Sequence, residues 1–307
     1  MGGTGAQPID DLLTDTIGQV VRIDRYEDAQ GYDVYLPAHR SPDSLDLVVF
    51  LHGYGALNPM IFGKWIEHLV VERQHCVVYP RYQMSLFQPS SQEFVPNTVE
   101  ALHQFLKEAR QHLPVRTESM YLVGHSYGGV IAANLSARYQ QYGLPRPLAA
   151  LICQPGTGPF NGGVMESYAE IDPDLYLAVM VGTNDQTVGQ EFGRRIFVEA
   201  RNTPNRMLIR HFPDNHQGRE IDASHYEPYS IDERFDNGIS NFTSNKARRV
   251  SRFDQLDVRG YWKMFDYLVD VARGAQAFNG SQEMLEDLGE WPDGQPVRKL
   301  EITMPEE

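Results

Sequence analysis

Cysteine is scarce in this chain: its 307 residues include only Cys76 and Cys153. Two thiols cannot build a disulfide framework, and these two do not have the spacing of metal ligands. Both lie in apolar runs, CVVY and ALIC, where a small buried side chain is the plain reading. Basic charge is also short, with 27 Lys and Arg against 41 Asp and Glu and a net charge of -14. That sign argues against a nucleic-acid binder and against charge-driven docking on an anionic membrane. No apolar run approaches the ~20 residues of a spanning helix. The opening MGGTGAQPIDDLL lacks the basic-then-apolar order of a secretory signal. The expectation is therefore a protein with no membrane span, cytoplasmic by default, whose oligomeric state the sequence leaves open.

What the chain does contain is an alternation of short apolar runs with amphipathic stretches, the pattern of α/β architecture. VVRIDRYEDAQGYDVYLPA predicts two antiparallel strands around a turn at Ala29-Gln30-Gly31. LDLVVFL, HCVVYP, SMYLVG, LAALIC, LYLAVMVG and RMLIRHF are near-continuous apolar runs, as expected of strands buried on both faces. Helices are expected over 97–113, with Asn97 as N-cap, over 126–142, closed by Gly143, and over 258–272. Val297, Leu300 and Ile302 suggest a short closing strand. The chain is read as one domain spanning 1–307. Its outlying parts are an N-terminal extension (1–18), a long irregular polar insertion (217–257) and an acidic tail (280–307).

The informative stretch is Gly124-His125-Ser126-Tyr127-Gly128, directly after a predicted strand and directly before a helix with a small-residue face. G-x-S-x-G alone is a weak signal, but this context suits a serine held on a sharp strand-to-helix turn with its hydroxyl above the sheet. A Rossmann phosphate turn needs a glycine where Ser126 stands. Ser126 is thus the candidate nucleophile. His-Gly-Tyr-Gly at 52–55 follows the 45–51 strand and suits an oxyanion loop, with backbone N–H groups from Tyr54 and Tyr127 as donors. His52 precedes the serine and is expected to brace that loop.

Asp185 ends the run Val181-Gly182-Thr183-Asn184-Asp185, where a loop can carry a carboxylate over the sheet edge. Asp172 and Asp174 are expected to shape a turn around Pro173. For the base, His216 follows the strand RMLIRHF and is preferred, with His225 in the irregular stretch as the alternative. His211, within the strand, is expected to pack. Tyr54, Tyr82, Phe87, Tyr127 and Phe160 supply aromatic groups near the site, with Tyr82, Phe87 and Phe160 as candidate substrate contacts. QPGTGPFNGG at 154–163 is expected opposite Ser126.

With LHGYGA, VGHSYGG and VGTND in place, the chain resembles the α/β-hydrolase superfamily, especially its esterase, lipase and dienelactone-hydrolase-like branches. The chain itself offers no large helical cap between Cys153 and Leu175, and the resemblance implies an eight-stranded, mostly parallel sheet flanked by helices. It also implies catalysis without cofactor or metal and an acyl-serine intermediate on a small-molecule ester. Thioesterase, lactonase and peptidase chemistry use the same residues and stay open, as does a non-catalytic binding protein of the same fold. The chain departs from the pattern in lacking the short Gly-x-Gly-His loop and in the length of the segment after His216.

Overall fold

The computed structural model describes residues 15–39, 44–278 and 282–305. Its strands are β1 (Asp15–Ile17), β2 (Val20–Arg25), β3 (Tyr32–Pro37), β4 (Asp46–Leu51), β5 (His75–Pro80) and β6 (Ser119–His125), followed by β7 (Arg146–Cys153), β8 (Tyr176–Gly182), β9 (Arg206–His211), β10 (Asp214–His216), β11 (Arg219–Ile221) and β12 (Glu301–Thr303). The helices are α1 (Gly63–Glu67), α2 (Phe94–His112), α3 (Tyr127–Arg138), α4 (Glu191–Glu199), α5 (Phe242–Val250), α6 (Lys263–Ala272) and α7 (Gln282–Glu286).

Ten of these strands form one sheet in the order β1-β2-β3-β5-β4-β6-β7-β8-β9-β12. The stretch from β5 to β9 is wholly parallel, and the outer pairings are antiparallel. The expected eight strands are there, and the described residues add one at each edge. β1 comes from the segment expected as an extension, and β12 is the closing strand around Ile302. The rest of that N-terminal extension, residues 1–14, lies outside the described residues.

Alternation along each strand divides the core between the two faces of the sheet. Val48 and Phe50 of β4 join Trp65, Ile66, Phe265 and Leu268 from α1 and α6. Leu47, Val49 and Leu51 instead meet Phe105, Ile131 and Ile196 from α2, α3 and α4. This period of two is why the strands read as continuous apolar runs: both faces are covered. Cys76 and Cys153 are both buried, as expected. No described helix is long and apolar enough to cross a membrane.

Two expectations need correcting. The second helix starts at Phe94 rather than after Asn97, because Pro96 falls in its first turn, where a missing N–H costs no helical bond. Asn97 lies inside that helix and donates to the Tyr82 carbonyl. The insertion is also less irregular than expected. β10 and β11 pair across Gln217 and Gly218, both at positive φ, and α5 opens on a reciprocal cap between Asn241 and Ser244.

Candidate active site

Ser126 sits between β6 and α3 with φ 56° and ψ -119°, a backbone region costly for any residue with a Cβ. The turn is possible because its flanking glycines let strand and helix nearly touch. A Cβ on Gly124 would lie 2.4 Å from the Gly128 carbonyl oxygen, and one on Gly128 would lie 2.0 Å from that of Leu51. Both obstacles are backbone and cannot swing aside. Gly128→Ala is therefore expected to destabilise the fold by about 3 kcal/mol or more, read as a lower urea midpoint. An unchanged midpoint would contradict this account of the turn.

The Ser126 hydroxyl lies 2.9 Å from Nε2 of His225, and Nδ1 of His225 lies 2.8 Å from Oδ2 of Asp185. All three residues are buried. The other Asp185 oxygen accepts the N–H groups of Thr187 and Val188 at 2.8 and 2.9 Å. Burial alone would raise the Asp185 pKa. The hydrogen bond and charge of His225, with those two N–H groups, outweigh it and hold the carboxyl below its ordinary value. An ionised carboxylate only accepts, so the proton of a neutral His225 belongs on Nδ1, leaving Nε2 to accept from the serine.

His216, the histidine preferred from the sequence, does not reach this chain of hydrogen bonds. It sits in β10, with Nε2 2.7 Å from Asp293 and its ring stacked on Trp291. The physical reason is the hairpin, which carries the chain away from the sheet after His211 and returns it at Ala223. There the backbone is stitched to the loop that carries Asp185: Asn184 N–H donates to the Ala223 carbonyl, and its side-chain amide donates to Asp222. His125, next to the serine, donates from Nε2 to the His225 carbonyl at 2.9 Å. Burial lowers its pKa to about 3 and keeps it neutral. The Gln217-Gly218 turn was the available signal that the first histidine would leave with a hairpin.

Among the described residues neither the Tyr54 nor the Tyr127 backbone N–H has a protein acceptor, and both residues line the cavity that holds Ser126. His52 is buried between the rings of Tyr79 and Tyr82, and burial lowers its pKa to about 4. Asp172 is bound by Arg146 and Tyr139, and it accepts the N–H of Asp174, which accounts for that turn. His211 is buried within β9.

The cavity measures about 310 Å³. Residues 156–160 form one wall, as expected of the QPGTGPFNGG stretch, and Phe160 stacks on Tyr54 at 4.7 Å. Two expected contacts are absent from it. Tyr82 is fully buried, its hydroxyl donating to the His52 carbonyl at 2.5 Å, because it packs beneath the loop at 52–55. Phe87 is 89% exposed, on a surface loop. The wall that the sequence reading missed comes from the insertion: Tyr226, Tyr229, Phe242, Thr243 and Lys246. A larger depression, about 690 Å³, lies by Arg206, Leu285 and Ile302, and its lining includes none of Ser126, His225 and Asp185. Size does not select the site; chemistry does. No group of three or more potential metal ligands is found among the described residues.

Glu227, two residues beyond His225, is buried, and its pKa is pushed up to about 8. Burial is the main cause, with the charge of Asp254 adding to it and a Ser224 N–H and Arg252 opposing. The folded state thus holds this proton more tightly than the unfolded chain. The resulting stability is full below the ordinary value of 4.5 and is lost as pH rises through about 8. Glu227→Gln is expected to raise the melting temperature at pH 9 by several degrees and change it little at pH 5. An equal shift at both pH values would contradict the assignment.

A model of the alpha/beta hydrolase fold matches residues 48–186, a span that includes Ser126 and Asp185 and stops short of His225. An inhibited esterase B from Lactobacillus rhamnosis superposes with a TM-score of 0.50 over 84% of this chain and 90% of its own. The chain has the α/β-hydrolase fold. A protein assigned as a dienelactone hydrolase, from Klebsiella pneumoniae subsp. pneumoniae, superposes with a TM-score of 0.54 over 81% of this chain and 98% of its own. Each is 13% identical to this α/β-hydrolase-fold chain, a likeness of fold alone. A search of curated protein sequences finds no match.

Proposed function

We propose that the chain is a serine hydrolase that cleaves carboxylic esters through an acyl-serine intermediate. The observation that carries this reading is the unbroken hydrogen-bonded line from Asp185 through His225 to Ser126. His225 Nε2 takes the hydroxyl proton as Oγ attacks the ester carbonyl. The oxyanion is received by the N–H groups of Tyr54 and Tyr127, the second of them at the N-terminus of α3. As the tetrahedral intermediate collapses, the imidazolium returns its proton to the departing alcohol. Water then enters, gives a proton to Nε2 and attacks the acyl carbon. The second tetrahedral intermediate expels Ser126 Oγ, which takes that proton back from Nε2 as the carboxylic acid leaves. Asp185 holds the tautomer and stabilises the imidazolium throughout. None of these steps draws on a cofactor or metal.

The cavity favours a compact substrate, since about 310 Å³ is near the lower end of small-molecule sites. Hydrolysis of 4-nitrophenyl esters from acetate to laurate tests the reading. Turnover is expected with short acyl chains and is expected to decline with long ones. No turnover on any ester of the series would overturn carboxylic-ester cleavage.

A further inference from the structure

Resting on the hydrolase reading, we infer that the cavity selects esters carrying a carboxylate, which Lys246 recognises. The argument starts from charge. The chain carries a formal net charge of -14, yet the lining of this cavity contains no Asp or Glu and one cation, Lys246. Its neighbour on α5, Arg248, is satisfied by Glu233 and Asp236. Among the described residues Lys246 has no carboxylate partner. A solvated surface lysine would be the simpler account, but this one is half-buried and held in place. Its ammonium donates to the Tyr226 hydroxyl and lies 4.1 Å from the centre of the Tyr226 ring.

That tether aims the charge at the chemistry. Tyr226 follows His225 in sequence, and their rings meet edge to face at 5.4 Å. On the same helix the Thr243 hydroxyl donates to the Tyr54 carbonyl in the oxyanion loop. α5 is thereby fixed against both halves of the site. An ammonium has three donors, and the Tyr226 hydroxyl takes one. A carboxylate entering the cavity would accept from those that remain, beside the apolar surface of Phe160, Tyr229 and Phe242. Charge-assisted hydrogen bonds in such surroundings are the strong ones.

Two matched pairs of esters test this. With the charge on the acyl side, 4-nitrophenyl hemiglutarate is compared with its carboxamide isostere, 4-nitrophenyl glutaramate. With the charge on the leaving group, 4-carboxyphenyl butyrate is compared with 4-carbamoylphenyl butyrate. The readout is the ratio of kcat/KM within a pair, for wild type, Lys246→Met and Lys246→Arg. In at least one pair the carboxylate is expected to be preferred by about tenfold or more. The preference should collapse towards unity in Lys246→Met, survive in part in Lys246→Arg, and shrink as salt is raised. The pair that responds identifies the side of the ester that faces α5. Absence of preference in both pairs, or a preference unchanged in Lys246→Met, overturns the inference.

Failure of the hydrolase reading is separable. If wild type cleaves none of the four esters, recognition is read from calorimetric binding of 4-carboxyphenyl butyrate and its carbamoyl partner to Ser126→Ala. Binding of the carboxylate that is lost in Ser126→Ala/Lys246→Met upholds the role of Lys246 without hydrolysis. Equal binding of the two compounds ends it.

Discussion

Replacing His225 with alanine is expected to lower kcat by about 10⁴- to 10⁶-fold, while His216→Ala keeps kcat within a factor of about two of wild type. The asymmetry follows from where the two rings sit. His225 lies between Ser126 and Asp185 at 2.9 and 2.8 Å, whereas His216 is held by Asp293 on a hairpin. Removing His225 takes away the group proposed to accept the serine proton and the partner of one Asp185 oxygen. Thr187 and Val188 still satisfy the other oxygen, so the variant should fold. Circular dichroism and kcat on the same samples separate lost chemistry from lost structure. Loss of activity in His216→Ala with retention in His225→Ala would reverse the assignment.

The second large effect is expected at Ser126. Ser126→Ala should lose activity by a comparable factor, since nucleophile and base act as a unit and their losses do not add. Ser126→Gly should be equally inactive but more stable than Ser126→Ala. At φ 56° and ψ -119° a side chain is strained, at a cost of about 1–3 kcal/mol, and glycine removes that strain. The gain will be smaller than the strain, because glycine also loses more backbone freedom on folding. Thermal melts of the two variants provide the check. A lower melting temperature for glycine would show that the strain at this residue is smaller than glycine's loss of backbone freedom.

Much of the framework was legible because strands covered on both faces must be apolar throughout. The runs at 45–51, 75–80 and 119–124 became β4, β5 and β6 with boundaries shifted by at most a residue. The serine turn was legible for a similar reason: the glycines at 124 and 128 answer to steric demands that nothing else meets. The position of Asp185, just past a buried strand, was readable from the sequence. The histidine was harder, because its position depends on a hairpin whose turn, Gln217-Gly218, is a weaker signal than Asn-Gly. Tyr82 and Phe87 could not be placed by proximity in sequence. One is drawn under the loop by a bond to His52, and the other is left on the surface. The wall formed by Tyr226, Phe242 and Lys246 depends on the fold-back of a polar segment that has no sustained hydrophobic period.

The most direct test of the central claim is covalent. A fluorophosphonate reacts with a serine only when a base activates its hydroxyl and donors receive the developing charge. Incubation with the reagent followed by peptide mass spectrometry is expected to give one adduct per chain, on Ser126. The labelling rate should fall sharply in His225→Ala and stay near that of wild type in His216→Ala. No adduct on Ser126, or labelling at that site indifferent to His225, would contradict the account.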